Sequence, residues 1–275
     1  MAQAGNKQEE IHMHLTKMEG LGNDYLYVYG EIPNPENVSI KLSERHFGIG
    51  SDGLIMITPS DKADFEMRIF NADGSEAMMC GNGIRCVGKY VFDKGYTDKK
   101  HLRINTRSGI KYVSLVLRNN KVIGASVNMG HVAVSDPVEL EACGEKVTLR
   151  PVNVGNPHAV IFTDDAENAP LTTVGASIEK NKFFPDGVNV EFLQKTGENE
   201  FRMRVWERGS GITMACGTGT CASVAAAAEA GLCDIDEDVK VQLDGGELTI
   251  RVLPDYTVMM TGPATTVCEC EVEKV

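Results

Sequence analysis

Two cysteines occupy the same local frame, Cys80-Gly81-Asn82-Gly83 and Cys216-Gly217-Thr218-Gly219. Each frame precedes a helix-forming run, so each thiol is expected beside the unpaired N–H groups of a first helical turn. The positive end of the helix dipole should lower the thiol pKa below its free value of about 8.5. The same N–H groups can hold a carboxylate, and the glycines let a ligand approach the backbone. Two such frames could put one thiol on each side of a single carbon. That geometry removes a proton from one face and returns one to the other, which is racemisation or epimerisation next to a carboxylate. Charge moving onto the carboxylate would be stabilised by the helix N-termini. One thiol must be ionised while the other is protonated, so their titrations must be coupled and split. A lone free cysteine is more often a small buried hydrophobe. Cys86, Cys143, Cys221, Cys233, Cys268 and Cys270 lack the glycine-rich frame and read as packing residues.

The elements that must position the two thiols surround them. One helix is expected from about Gly81 to Asp93, stopped by Gly95, and another from about Gly217 to Ala230, stopped by Gly231. Glycine just past the last turn is a common helix stop. The second helix contains Ala222-Ser223-Val224-Ala225-Ala226-Ala227-Ala228, which is small or apolar all round and should be buried. Most of the remaining chain reads as short β-prone runs with turn punctuation. Examples are residues 26–29, 54–57, 65–70, 102–106, 112–117 and 122–123, then 159–162, 188–193, 201–206, 239–243 and 248–252.

The order of features repeats. Asn71 closes Arg68-Ile69-Phe70-Asn71 nine residues before Cys80, and Glu207 closes Arg204-Val205-Trp206-Glu207 nine residues before Cys216. The offset is 216 − 80 = 136; Gly22-Asn23-Asp24 and Gly155-Asn156-Pro157 repeat at 156 − 23 = 133. Such constancy points to a duplicated unit. The expectation is two lobes of one topology, each giving a strand, a turn, a cysteine at a helix start and an Asn loop, with a cleft between them.

The 275 residues carry 39 acidic and 27 basic side chains, a net charge of −12. That balance disfavours non-specific binding to nucleic acid or anionic lipid, and the 42% apolar fraction argues against disorder. No apolar run approaches the roughly 20 residues that span a bilayer. Residues Met1 to His14 lack a signal-peptide pattern, so a cytoplasmic protein with reduced thiols is expected. The eight cysteines contain no CxxC pair, which speaks against a zinc ribbon or thioredoxin-type site; no metal is expected.

At these residues the sequence resembles the diaminopimelate epimerases. The ordered signatures are Gly20-Leu21-Gly22-Asn23-Asp24-Tyr25, the stretch from Arg68 through Asn71 to Glu76, Cys80-Gly81-Asn82-Gly83, Gly155-Asn156-Pro157-His158, Val188-Asn189, Glu207-Arg208-Gly209 and Ala215-Cys216-Gly217-Thr218-Gly219. They run from about Gly20 to Ala264. The resemblance implies an α/β (α+β) fold of two pseudo-symmetric lobes, each a curved mixed sheet wrapped around a central helix. It implies lobes at residues 1–127 and 128–262, with a return strand at about 263–275 joining the first lobe. It implies a homodimeric isomerase that needs no cofactor, pyridoxal phosphate included, and interconverts LL- and meso-2,6-diaminopimelate in the making of lysine and peptidoglycan precursors. The partner is a small diamino dicarboxylic acid, with no nucleic acid and no membrane. In the LL-to-meso direction the implied base is Cys216 and the implied acid Cys80. Asn23, Asn71, Gly81, Asn82, Asn156, Asn189, Glu207, Arg208, Gly217 and Thr218 match substrate-binding positions. His158 and Glu207 match positions that tune the thiols. The stretch Arg45 to Gly53 also resembles a family loop, but Gly53 stands where some members carry glutamine, and Thr218 where some carry serine. Asn suits an amino-acid head group because it both donates and accepts, and Arg208 can grip a carboxylate with two N–H groups.

Two other readings compete. A proline or hydroxyproline racemase of the same architecture would not need Asn71, Asn156, Asn189 and Arg208 for a distant second head group. A thiol redox or metal-binding protein using Cys80 and Cys216 would carry metal or a disulfide, although the spacing fits no zinc pattern. A dinucleotide binder lacks its full glycine fingerprint.

Overall fold

A computed structural model describes residues 12–273; residues 1–11 of the leader reading above lie outside the described residues. The first lobe carries β1 (Met13–Gly20), β2 (Asn23–Tyr29), α1 (Pro35–Ser43), β3 (Gly53–Pro59), β4 (Phe65–Asn71), β5 (Glu76–Ala77), α2 (Gly81–Asp93), β6 (His101–Thr106), β7 (Gly109–Arg118) and β8 (Lys121–His131). The second follows with β9 (Ala133–Val134), β10 (Val138–Ala142), β11 (Glu145–Asn153), β12 (Pro157–Phe162), a π-helical turn (Leu171–Gly175), α3 (Ala176–Glu179), β13 (Asn189–Gly197), β14 (Glu200–Glu207), β15 (Gly211–Ile212), α4 (Gly217–Glu229), β16 (Val239–Leu243), β17 (Gly246–Val252) and β18 (Thr257–Pro263). A last strand, β19 (Thr265–Val272), follows these.

Strand pairing makes the duplication explicit. In the first lobe β1 is antiparallel to β2, β2 parallel to β3, β3 antiparallel to β4, and β4 parallel to β6, before the β6–β7–β8 meander. The second lobe repeats the series as β11, β12, β13, β14, β16, β17 and β18. The lobes join edge to edge where β8 pairs antiparallel with β18, from Gly124 opposite Pro263 to His131 opposite Thr257. The backbones approach closely here: a Cβ on Gly124 would lie 2.4 Å from the Gly262 carbonyl oxygen. The chain then returns to the first lobe, where β19 pairs with β1.

Each sheet curls around one helix. Helix α2 buries Ile84, Cys86, Val87 and Val91. Helix α4 buries every residue from Gly219 to Ala227, since small side chains let a curved sheet close on all of its faces. One apolar core runs through both lobes, from Ile55, Ile84 and Val127 to Leu193, Val224 and Ile250. The outer face of each sheet has a smaller core of its own, with α1 giving Val38 and Leu42 in one lobe and the turn around Leu171 and Ile178 serving the other.

Mixed α/β architecture, strands and the two central helices stand where the sequence put them; α4 ends at Glu229, with Ala230 as its C-cap. Sequence reading missed β1, the β10–β11 hairpin, β18, α1 and the short β5, β9, β15 and α3. Helix α1 has only nine residues, and Asn34 at its start adopts φ 47° and gives no side-chain cap. Strand β19 alternates charged and small residues because it lies at a sheet edge, paired on one side by β1.

Candidate active site

Both thiols act as helix caps. Cys80 and Cys216 have extended backbones, and each sulfur accepts the N–H of the third residue of its helix, Gly83 or Gly219, at 3.3 Å. This is the bond a serine or aspartate cap would make, with sulfur in place of oxygen. The two helix starts meet at the fully buried Met260. A Cβ on Gly81 would lie 2.8 Å from Met260 Cε, and one on Gly217 would lie 3.0 Å from Met260 Sδ and 4.0 Å from Asn82 Oδ1. Arg85, fully buried, fixes the first of these starts by donating to the carbonyls of Gly81 (3.2 Å) and Pro263 (3.0 Å) and to Asn82 Oδ1 (3.0 Å).

The remaining candidates sit at the strand ends that flank these caps. Asn23 opens β2; its Oδ1 accepts from the Cys80 thiol at 3.3 Å and its Nδ2 donates to Asp52 at 2.7 Å. Asn71 ends β4 and donates to Ser75 Oγ at 3.0 Å. Asn156 precedes β12 and donates to Thr218 Oγ1 at 3.4 Å, and that hydroxyl lies 3.6 Å from Cys216 Sγ. Asn189 opens β13, is buried, and accepts the Arg208 backbone N–H at 2.9 Å. Glu207 ends β14 and accepts from the Thr213 hydroxyl. Arg208 is exposed; its guanidinium donates to the Asp186 carbonyl at 2.9 Å and lines a surface depression with Gly187 and Gly209. Gly53 opens β3, the place Asn189 takes in the second lobe. A Cβ there would lie 2.2 Å from the Phe70 carbonyl oxygen, so no side chain fits.

His158 is fully buried, with Nδ1 2.7 Å from Glu191 Oε1 and Nε2 3.1 Å from Asn156 Oδ1. Glu191 itself went unnoticed in the sequence, although alternation along Val188 to Leu193 points it inward beside Leu193. Tyr25 was missed too. It is buried against Cys80 and Asn23, and takes the place of His158 in the first lobe (25 + 133 = 158).

The expected lowering of the thiol pKa values is overturned. Burial pushes the Cys80 thiol up, against the opposing pull of the Gly83 and Asn82 N–H groups and of Arg85. Burial pushes Cys216 well above the ordinary range, and the Glu207 and Glu191 carboxylates add to it. Loss of water around the sulfur outweighs the helix-start N–H groups. Burial likewise raises the Glu207 carboxyl, whose charge acts on both thiols. The two thiols are therefore unequal, with the greater resistance to ionisation at Cys216.

All eight cysteines are free. Cys86 and Cys221 are core residues as expected, but Cys143 is exposed at a turn with φ 53°, and Cys268 is exposed on β19, so neither is a packing residue. Cys233 and Cys270 are half-buried. Among the described residues no helix is long and apolar enough to cross a membrane.

The two-lobed fold is shared by solved structures of low sequence identity. A hydroxyproline epimerase from Agrobacterium vitis superposes with a TM-score of 0.71 at 15% identity, covering 95% of this chain and 91% of that one. A phenazine biosynthesis protein of the PhzF family from Bacillus anthracis gives 0.73 at 17% identity, covering 95% and 99%. Sequence is more specific. The profile of the family described as diaminopimelate epimerase matches residues 15–134 and 151–267, one stretch in each lobe. The diaminopimelate epimerase of Bacteroides thetaiotaomicron is 51% identical over 267 residues, covering 94% of this chain and 97% of its own. That of Agathobacter rectalis is 48% identical over 289 residues, covering 95% and 99%. The chain belongs to the diaminopimelate epimerase family.

Proposed function

We infer that this chain interconverts LL- and meso-2,6-diaminopimelate by a two-thiol mechanism. The observation that carries the mechanism is the pair of cysteine caps whose helix starts converge on Met260. In the LL-to-meso direction Cys216, as thiolate, takes the α-proton, and the Cys80 thiol delivers one to the opposite face. Reversal exchanges the roles. The substrate α-carboxylate lies between the two first turns, where the backbone N–H groups of Gly81-Asn82 and Gly217-Thr218 point, and these stabilise the charge that develops on it. Burial that disfavours an isolated thiolate also keeps water away from the carbanion. It makes the thiolate a stronger base once formed beside the substrate ammonium. Asn23, Asn71, Asn156 and Asn189 fit the two head groups by donating and accepting, while Arg208 and Glu207 fit the charges of the distal one. Glu207 and His158 set the charge around Cys216. Catalysis needs no pyridoxal phosphate. The enzyme works in the reducing cytoplasm, because a Cys80–Cys216 disulfide would remove acid and base together; family likeness supports a homodimer.

The test is incubation with LL-diaminopimelate in D₂O, following α-deuteration and meso product by NMR. Both are expected. Exchange with proline and none with diaminopimelate would favour a proline racemase. A requirement for added pyridoxal phosphate would refute the two-thiol mechanism.

A further inference from the structure

Glu191 is the only carboxylate fully buried among the described residues. One of its oxygens meets His158 Nδ1; the other, Oε2, has no hydrogen-bond partner. Leaving a buried acceptor unpaired is destabilising, so stability gives no reason to keep a carboxylate there.

Its surroundings point at the thiol. A Cβ on Gly219 would lie 2.5 Å from Glu191 Oε1 and 3.1 Å from Cys216 Sγ, so the carboxylate and the sulfur flank the same glycine. A chain of close contacts leads from one to the other. It runs from Glu191 Oε1 to His158 Nδ1 (2.7 Å), from His158 Nε2 to Asn156 Oδ1 (3.1 Å), from Asn156 Nδ2 to Thr218 Oγ1 (3.4 Å), and from Thr218 Oγ1 to Cys216 Sγ (3.6 Å). The first lobe has no counterpart. The residue in register with Glu191 is Ile55 (55 + 136 = 191), whose Cδ1 lies 2.7 Å from a Cβ built on Gly83. The residue in register with His158 is Tyr25. One copy of the duplicated frame thus carries an acid–imidazole pair where the other carries an isoleucine and a tyrosine.

We propose that Glu191 is a positioning residue for Cys216: its carboxylate accepts the Nδ1–H of His158 while the Nε2–H of the same ring donates to Asn156 Oδ1, and the ring so held at both nitrogens orients Asn156 and, through its Nδ2–H, the Thr218 hydroxyl against the sulfur. A ring held by only one nitrogen can rotate or change tautomer, and each later link then loses its direction. The effect of this positioning on turnover rests on the function inferred above; the hydrogen bond itself does not.

Two Glu191 variants, one His158 variant and one spectroscopic reading test it. In the wild-type protein labelled with ¹⁵N-histidine, His158 should show a slowly exchanging, low-field Nδ1 proton, assigned by its loss in His158→Gln. In Glu191→Ile, which copies the first lobe, that proton should vanish and kcat/KM for LL-diaminopimelate should fall roughly 100-fold, the scale of a small misplacement of a reacting group. In Glu191→Gln the amide oxygen still accepts from Nδ1–H, so the resonance should persist and kcat/KM should return to within about tenfold of wild type. Absence of the Nδ1 proton in the wild type would overturn the proposal, whether or not either variant folds. So would Glu191→Ile retaining more than about a third of wild-type kcat/KM, or Glu191→Gln falling as far as Glu191→Ile with its melting temperature unchanged. Wild-type protein that shows the proton but does not turn over diaminopimelate would refute the inferred substrate and leave the positioning role standing.

Discussion

Replacing Gly219 by alanine separates positioning from stability. The new methyl would lie 2.5 Å from Glu191 Oε1 and 3.1 Å from Cys216 Sγ, whereas ordinary contacts are near 3.5–4 Å. One or both groups must therefore move by several tenths of an ångström to about 1 Å. Glu191 is anchored by His158 and fully buried, so much of the displacement falls on the sulfur. Overpacking of this kind costs about 1–3 kcal/mol. Alanine recovers up to about 1 kcal/mol over glycine in a helix. The net loss is about 0–2 kcal/mol, only a few degrees in melting temperature for a chain of this size. Moving a reacting atom by about 1 Å can cost roughly 100-fold in rate. The expected variant is folded, nearly as stable as wild type, and about two orders of magnitude slower. Gly83→Ala is the matched control, because its methyl meets Ile55 Cδ1 at 2.7 Å and Met67 Cε at 3.2 Å, the free ends of flexible side chains. It should lose at least tenfold less activity than Gly219→Ala. The measurements are kcat/KM by coupled assay or NMR and Tm by calorimetry. Equal losses in the two variants, or a Gly219→Ala enzyme within threefold of wild type, would refute the reasoning.

Cys80→Ala and Cys216→Ala should each reduce epimerisation by several orders of magnitude while leaving the fold intact, as judged by circular dichroism; substantial turnover by either would contradict the two-thiol scheme. Met260→Ala should open a cavity between the helix starts and cost about 2–5 kcal/mol by denaturant titration; a loss under 1 kcal/mol would show that Met260 is not the packed spacer described. Stability should also fall at alkaline pH. Burial raises Cys86 to about 11 and Cys221 to about 12, so above about pH 9 the unfolded chain releases protons that the folded chain keeps. The stabilisation is complete below the unfolded thiol pKa and is lost as pH rises toward the folded values, at about 1.4 kcal/mol per pH unit for each thiol. A flat dependence between pH 9 and 11 in chemical denaturation would contradict this; Cys221→Ala should reduce the slope.

The central helices and their cysteine caps were legible because glycine punctuation and the 136-residue repeat mark them directly. Asn23, Asn156 and Glu207 were legible for the same reason, since a repeat singles out positions that local pattern leaves ordinary. The acidity of the thiols was not legible. A helix start suggests stabilisation of the thiolate, but the balance depends on how much water the closed sheet removes, which only the packed structure contains. Glu191 was hidden because it sits in a run of β-prone residues and breaks the symmetry of the repeat, standing where Ile55 stands in the other copy. Strand β18 escaped because its partner β8 is distant in sequence, and a return strand at β19 could be expected only from the resemblance, not from its own residue pattern.

The pairing of β8 with β18 and of β1 with β19 has a consequence for synthesis on the ribosome. Both edges of the first-made lobe stay open until residues 257–272 have been translated. From His131 to Thr257 is 257 − 131 = 126 residues, so at 5–20 residues per second the nascent lobe waits about 6–25 s with two unpaired strand edges. Open edges template wrong pairing between chains. The gene order that places the closing strands last thus makes the lobes one folding unit and exposes the nascent chain to chaperones, and the first repeat expressed by itself should aggregate.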